Sequence, residues 1–348
     1  MLKKKNKYNV AIMGATGAVG AEFLKILAQR SFPLGELRLL ASERSKGKKI
    51  SFQGRKYDVE LLDKNSFGDI DIVLASAGAS RSEEFLPHAV RAGAVCVDNS
   101  SAFRMKEEVP LVVPEVNPDA IKKHKGIIAN PNCSTIQLVL PLKAIAQAAD
   151  LKRVVVTTFQ SVSGAGQQHI LEMEKQAIAL GKKKSHYGVG EHTVPGDMIN
   201  NFSHQIAYNL IPHIDVFKEN FYTKEEMKMV EETRKILGFP GLAITATCVR
   251  VPVYYAHSES VNVETEKKLT REDAIKLMKA FKGITVVDAP GENRYPMPIE
   301  AEGKDDVFLG RIREDASVEN GLNMWVVADN LRKGAALNAI QIAELLIA

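Results

Sequence analysis

The sequence is poor in the features that mark several protein classes. Its 348 residues hold only three cysteines, Cys96, Cys133 and Cys248. That odd, sparse set has no metal-ligand spacing, so it argues against a disulfide framework and a metal site and for a reducing compartment. Acidic and basic residues nearly balance, 42 against 46, and the net charge of +4 comes partly from Lys3, Lys4, Lys5 and Lys7 and from Lys182, Lys183 and Lys184. Such runs read as solvated tails and loops, which excludes a nucleic-acid groove and leaves small anions open as ligands. No apolar run approaches membrane-spanning length. The stretch after the first lysines is a poor targeting segment, since Gly14, Gly17 and Gly20 punctuate it and Glu22 and Lys25 follow. A cytoplasmic location is therefore expected. With 45% hydrophobic and 25% charged residues, the chain has the balance and length of two globular domains.

The chain is organised around Asn130-Pro131-Asn132-Cys133-Ser134-Thr135. Gly126 to Ala129 reads as the end of a buried strand, and Ile136 to Ala148 as a helix with Leu138, Leu142 and Ile145 on one face. Cys133 is thus expected at a strand-to-helix corner. The first helical turn there offers unpaired N–H groups and the positive end of the dipole, which favour a thiolate. Pro131 forces Asn130 into an extended conformation and stiffens the bend. That setting suits a nucleophile, although a cysteine taken at random is more often a small buried hydrophobe.

At the N-terminus, Tyr8 to Met13 is a short apolar strand that Gly14-Ala15-Thr16-Gly17-Ala18-Val19-Gly20 joins to a helix over Ala21 to Gln29. Gly14 permits a tight turn, Gly17 lets the backbone approach a pyrophosphate, and Gly20 allows the helix to pack close to the strand. The GxxGxxG spacing is a variant of the dinucleotide fingerprint, and an ordinary glycine-rich loop is its plain alternative. A second strand, Leu37 to Ala41, runs into Ser42-Glu43-Arg44-Ser45-Lys46-Gly47-Lys48. An acidic residue here holds a ribose 2′-hydroxyl, and an arginine accommodates a 2′-phosphate. Arg44, Ser45, Lys46 and Lys48 favour NADP, while Glu43 fits NAD or solvent. Strands at Ile70 to Ala75 and Val95 to Asp98, with a helix over Glu83 to Ala92 between them, imply a parallel, doubly wound sheet. Its ligands belong beyond the carboxyl ends of the strands, where the loops at Ser76 and Asn99, and Arg104, fall.

After Cys133 the pattern changes. Arg153 to Gln160 alternates as a strand and leads into the glycine-rich Ser161-Val162-Ser163-Gly164-Ala165-Gly166. A helix is expected over Gln168 to Leu180, a mobile basic loop over Gly181 to Gly190, and irregular or strand-like chain over Ile206 to Asp215. Lys224 to Leu237 is an amphipathic helix on which Glu225 and Lys228 lie one turn apart. Strands over Ala243 to Val253, Val261 to Thr265 and Leu322 to Ala328 and a helix over Arg271 to Phe281 indicate an α+β second domain, and a helix over Leu331 to Ile347 closes the chain.

The glycine turn at 14–20, the Asn130 to Thr135 corner and Gln160-Ser161-Val162-Ser163-Gly164-Ala165-Gly166 occur in one chain with Arg250-Val251-Pro252-Val253 and His257-Ser258-Glu259-Ser260. In that order they resemble the signatures of the aspartate-semialdehyde dehydrogenase family, and His204 to Asp215 resembles its bacterial form. The likeness spans nearly the whole chain. It implies a Rossmann-like NADP-binding domain over 1–132 and 331–348, and a catalytic and dimerisation domain over 133–330. It further implies a homodimer and reversible reductive dephosphorylation of L-4-aspartyl phosphate to L-aspartate 4-semialdehyde, a branch step toward lysine (with diaminopimelate), methionine and threonine. By the same resemblance Cys133 is the nucleophile, His257 its acid/base partner, and Gln160 an orienting group. Arg250 would clamp the substrate carboxylate, and Arg104 and Lys228 the phosphoryl group with support from Glu225. Gly14, Thr16, Gly17, Ala18, Val19, Arg44, Ser45, Ser163, Gly164 and Asn330 would contact NADP. Three other readings keep weight: a reductase of another acyl phosphate such as N-acetylglutamyl phosphate, a cysteine hydrolase without nucleotide, and a nucleotide-sensing scaffold.

Overall fold

The first part of the chain alternates strand and helix: β1 (Tyr8–Met13), α1 (Ala18–Gln29), β2 (Leu34–Ala41), β3 (Lys49–Phe52), β4 (Arg55–Leu61), β5 (Ile72–Ala75), α2 (Ala79–Arg91), β6 (Val95–Asp98), β7 (Ile127–Ala129) and α3 (Cys133–Ala149). The computed structural model describes residues 2–182 and 192–348. These seven strands form one sheet in the order β3-β4-β2-β1-β5-β6-β7, parallel except for β3, which runs antiparallel to β4 at the edge. Strands β5 and β6 are buried at every residue, as strands covered on both faces must be. The strand order reverses between β1 and β5. At such a switch point the loops after the two strands diverge and leave a crevice for a ligand.

The remaining elements are β8 (Leu151–Gln160), α4 (Gln167–Gly181), α5 (Lys224–Leu237), β9 (Ala243–Arg250), β10 (His257–Thr265), α6 (Arg271–Ala280), β11 (Ile284–Val286), α7 (Pro298–Ala301), β12 (Val307–Asp315), β13 (Gly321–Ala328) and α8 (Leu337–Ile347). The strands build a mixed six-stranded sheet, β11-β12-β13-β10-β8-β9, with β8 parallel to β9 and antiparallel to β10. The chain divides into a first unit of Met1–Leu140, Glu231–Pro240 and Leu331–Ala348 and a second of Pro141–Val230 and Gly241–Asn330. Helix α8 therefore belongs to the first unit, whose core joins Val10, Ile12 and Leu74 of the sheet to Phe23 and Leu27 of α1 and Leu337, Ile340 and Leu346 of α8.

The expected α/β class, a doubly wound nucleotide domain with an α+β partner, is the one found. Boundaries differ in instructive places. Helix α3 begins at Cys133, not Ile136, because Asn132 caps it. Strand β9 ends at Arg250, while β10 begins four residues before the expected Val261, at His257. Ile206 to Asp215 makes no strand beyond the single bridge of Ile211 to Arg250. The β3/β4 hairpin, β11, β12 and α7 were not foreseen, since β4 is largely exposed and β12 carries charges around an irregularity in register between Gly310 and Arg313. The last helix opens with a widened turn, in which the Ala336 N–H reaches the Leu331 carbonyl. From residue 183 on, the basic loop expected over Gly181 to Gly190 lies outside the described residues.

Candidate active site

The glycine turn of the first unit has the geometry its residues require. Gly14 sits at φ +90°, and a side-chain carbon there would run into the Ser76 carbonyl, so the loops after β1 and β5 touch through a bare backbone. A side-chain carbon on Gly20 would likewise strike the Gly14 carbonyl and Ala15. Gly17 is the N-cap of α1 and supplies no side-chain cap, which leaves the first turn, Ala18 and Val19 included, to satisfy its N–H groups on a ligand. Thr16 Oγ1 lies 3.2 Å from Oγ of the buried Ser45, tying this turn to the one after β2. In that second turn Glu43 faces Lys46 at 3.5 Å beside the exposed Arg44. The residues fit a dinucleotide: an open helix N-terminus for the pyrophosphate and a cationic tip where an adenosine ribose falls in this fold.

Farther along the same sheet, Cys133 is the first residue of α3 and is half-buried. The Asn132 side chain accepts the N–H groups of Ser134 at 3.0 Å and Thr135 at 3.3 Å, which anchors the turn. Asn130 is gripped in turn by Asn338, whose Nδ2 donates to its Oδ1 at 2.7 Å, and it donates to Asn99 at 2.8 Å. Arg104 is buried against this corner. Its Nε donates to the Asn130 carbonyl at 2.9 Å, Nη2 to the Asn99 carbonyl at 2.7 Å, and Nη1 to Glu232 at 3.0 Å. The other two cysteines are buried thiols whose pKa burial pushes up, with help from Asp98 for Cys96 and Glu225 for Cys248.

In the second unit the sheet register gathers the candidates. Parallel pairing sets Gln160, the last residue of β8, opposite Arg250, the last of β9, and His257 starts the adjoining antiparallel β10. His257 is fully buried. Its Nδ1 accepts the Ser161 N–H at 3.0 Å and lies 3.0 Å from Ser161 Oγ, whereas Nε2 has no hydrogen-bond partner. Burial first, then the charge of Arg250, brings its pKa down to about 3 against the opposing pull of Glu225. A neutral ring that accepts on Nδ1 carries its proton on Nε2. A side-chain carbon on Gly164 would lie 3.2 Å from His257 Nε2 and 3.3 Å from Arg250 Nη1, so bare backbone, imidazole edge and guanidinium converge on one spot. Arg250 Nη1 also donates to the Ser161 carbonyl at 2.7 Å. The Asn330 amide binds Ser163 and accepts from Ala256 N–H. Buried Gln160 donates to Thr158 and Glu225, each at 3.2 Å, and Glu225 and Asp215 both hold Lys228. Burial opposes the charge on Lys228, but those two carboxylates outweigh it and raise its pKa.

Within the first unit, then, Gly14, Thr16, Gly17, Ala18, Val19, Arg44 and Ser45 line neighbouring turns, and Arg104 joins the Cys133 corner. Within the second, Gln160, Ser163, Gly164, Arg250, His257, Asn330, Glu225 and Lys228 form one hydrogen-bonded and packed set. Three residues with evident positioning contacts escaped the sequence reading: Asn132, Ser161 and Glu232. Only Glu232 had a usable signal, since it follows Glu225 by seven residues and so shares its helix face. Among the described residues no cluster of three or more His, Cys, Asp or Glu could hold a metal, and no helix is long and apolar enough to cross a membrane.

A Rossmann-type nucleotide domain joined to a second domain that carries a histidine, an arginine and a glutamine at one end of three adjacent strands defines a dehydrogenase of two-domain type. Family profiles agree: the NAD binding domain of semialdehyde dehydrogenases matches residues 9–124, and their dimerisation domain matches 142–333. The aspartate-semialdehyde dehydrogenase of Aquifex aeolicus (strain VF5) is 56% identical over 98% of both chains. The solved structure of aspartate semialdehyde dehydrogenase II from Vibrio cholerae complexed with ASA is 47% identical, covers 99% of both chains and has a TM-score of 0.91. That of the Candida albicans enzyme with NADP is 26% identical over 98% of both chains, with a TM-score of 0.73. The chain belongs to the aspartate-semialdehyde dehydrogenase family.

Proposed function

We propose that the protein reduces L-4-aspartyl phosphate reversibly to L-aspartate 4-semialdehyde, with NADP as cofactor and phosphate as co-product, through a thioester on Cys133. It would serve the branch toward lysine, with diaminopimelate, and toward methionine and threonine. The observation that carries this reading is the half-buried Cys133 on the capped first turn of α3, in a chain whose other two cysteines are buried. The thiolate attacks the acyl carbon, the C–S bond forms, and the C–O bond to phosphate breaks. NADP in its reduced form, held by the residues named below, would supply the hydride that takes the acyl carbon to the aldehyde level, with the C–S bond broken and the Cys133 thiolate restored.

His257 is the acid/base partner. Its Nδ1 is occupied by Ser161, so proton traffic runs through Nε2, which as N–H donates to a developing oxyanion or a departing thiolate. Accepting a thiol proton on Nε2 requires the other tautomer, in which the ring must turn Nδ1–H off the Ser161 N–H and toward Ser161 Oγ. Arg250 offers a planar fork that a substrate carboxylate meets with two bonds. Gln160, fixed by Glu225, orients the acyl group, and Lys228 and Arg104 take the phosphoryl group. Gly14 and Thr16 to Val19 bind the pyrophosphate, Arg44 and Ser45 the 2′-phosphate, and Ser163, Gly164 and Asn330 the rest of the cofactor. The exposed Arg44 beside the buried Ser45 in the turn after β2 supports NADP over NAD. Residues 1–132 and 331–348 are assigned to nucleotide binding and 133–330 to catalysis and pairing into a homodimer.

The test is NADPH formation, followed by absorbance, from aspartate semialdehyde, NADP and phosphate, with phosphate omitted in a control. Phosphate-dependent turnover that Cys133→Ala abolishes is expected. Folded wild-type protein that yields no NADPH would reject the reading.

A further inference from the structure

Glu232 stands outside the groups that meet substrate or cofactor, and it is only 1% exposed. One carboxylate oxygen accepts Arg104 Nη1 at 3.0 Å and the other accepts the Asn132 N–H at 2.7 Å. A buried carboxylate is unfavourable unless it is paired and hydrogen-bonded, and here both oxygens are engaged, one by a guanidinium and one by the residue before Cys133. Arg104 is locked on three sides, by Glu232, the Asn130 carbonyl and the Asn99 carbonyl, so three of its five N–H donors are committed and two remain for a ligand. One turn beyond Glu232, Lys235 Nζ donates to the carbonyls of Arg104, Lys106 and Val109 at 2.7, 2.8 and 2.9 Å. The last turns of α5 thus hold both the loop that carries Arg104 and the turn that carries Cys133.

We propose that Glu232 is a positioning residue that couples the Arg104 fork to the Cys133 turn, fixing the distance between phosphoryl clamp and nucleophile. The proposal rests on the assignment of Arg104 to the phosphoryl group and of Cys133 as nucleophile. A single carboxylate does this because its two oxygens accept from two different elements at once, and its charge balances the buried guanidinium. Both oxygens face N–H donors, so an incoming phosphate meets the guanidinium rather than the carboxylate. A glutamine cannot replace it, since one arm of the amide would present N–H groups to a donor.

The test compares Glu232→Gln, Glu232→Asp, Arg104→Ala and the double variant Glu232→Gln/Arg104→Ala in the phosphate-dependent assay. Loss of one charged hydrogen bond corresponds to about a 10- to 100-fold rise in KM for phosphate in Glu232→Gln. KM for the semialdehyde and the affinity for NADP should change little, and Glu232→Asp should recover part of the loss. In the Arg104→Ala background the same substitution should add little further to KM for phosphate, the signature of two residues acting as one unit. An unchanged KM for phosphate in Glu232→Gln, or full additivity with Arg104→Ala, overturns the proposal while leaving the assignment of Arg104 intact. An Arg104→Ala enzyme with wild-type KM for phosphate overturns that assignment and the proposal together. Should Glu232→Gln not fold, Glu232→Asp carries the same comparison, with a smaller rise in KM for phosphate expected and its absence contradicting the coupling.

Discussion

Ser161 meets His257 Nδ1 twice, with its backbone N–H and with its hydroxyl oxygen, each at 3.0 Å. The N–H suits the tautomer with a bare Nδ1, and the hydroxyl can accept from the tautomer with Nδ1–H. The geometry as it stands holds the first tautomer, and the second needs a small turn of the ring from the N–H toward the hydroxyl. Ser161→Ala keeps the first contact and removes the second. Its kcat should fall by about 2- to 10-fold, the worth of one hydrogen bond, with KM for the semialdehyde little changed. Steady-state kinetics checks this, and a wild-type kcat would remove Ser161 from the account.

His257 should remain neutral through the physiological range. Its pKa is lowered to about 3, chiefly by burial and then by Arg250. The side-chain nitrogen resonances of His257 should therefore show no protonation between about pH 5 and 8, where an ordinary histidine titrates. The linkage has a definite sign. As pH falls from about 6.5 toward 3, the unfolded chain binds a proton that the native ring refuses, so stability falls with pH across that window. Denaturant unfolding of His257→Asn should show a shallower loss over the same range. A ring that titrates near 6.5 in the folded protein contradicts this.

Gly164 is a steric requirement of the site. A methyl group there would press on His257 at 3.2 Å and Arg250 at 3.3 Å, both tighter than ordinary contact. Gly164→Ala should fold and lose about 10- to 100-fold in kcat/KM, as small misplacements of reacting groups do. Thermal unfolding read beside turnover separates the two effects, and full activity would mean that the neighbours yield freely.

Thiol chemistry should single out one cysteine. Cys96 and Cys248 are buried with raised pKa values, while Cys133 is only half-buried at a helix N-terminus. Peptide mapping after brief treatment of the native protein with iodoacetamide should find the label on Cys133, and saturating phosphate should slow it. Equal labelling of Cys248 would contradict the burial.

Much of this was legible in the sequence because local signals and global demands coincide. The β1 and β6 strands have the expected bounds because each is a short apolar run buried almost throughout, and the α5 helix because its pattern is amphipathic. Polar context decides the rest, and periodicity does not register it. Cys133 enters its helix three residues early because an asparagine side chain, not an apolar repeat, starts it. Strand β12 was missed because charged residues alternate with its buried ones around an irregular register. Ser161 is not legible because its partner lies 96 positions away, and Glu232 shares a helix face with Glu225 but its partner Arg104 lies 128 positions away, so spacing marks the face and not the contact.

The central claim is the Cys133 thioester, and single-turnover kinetics without phosphate tests it most directly. Wild-type protein mixed with NADP and aspartate semialdehyde should release a burst of NADPH equal to the concentration of sites. It should then stall, with an aspartyl adduct on the Cys133 peptide that added phosphate discharges. A steady rate without phosphate, or a burst with no adduct on Cys133, would contradict it.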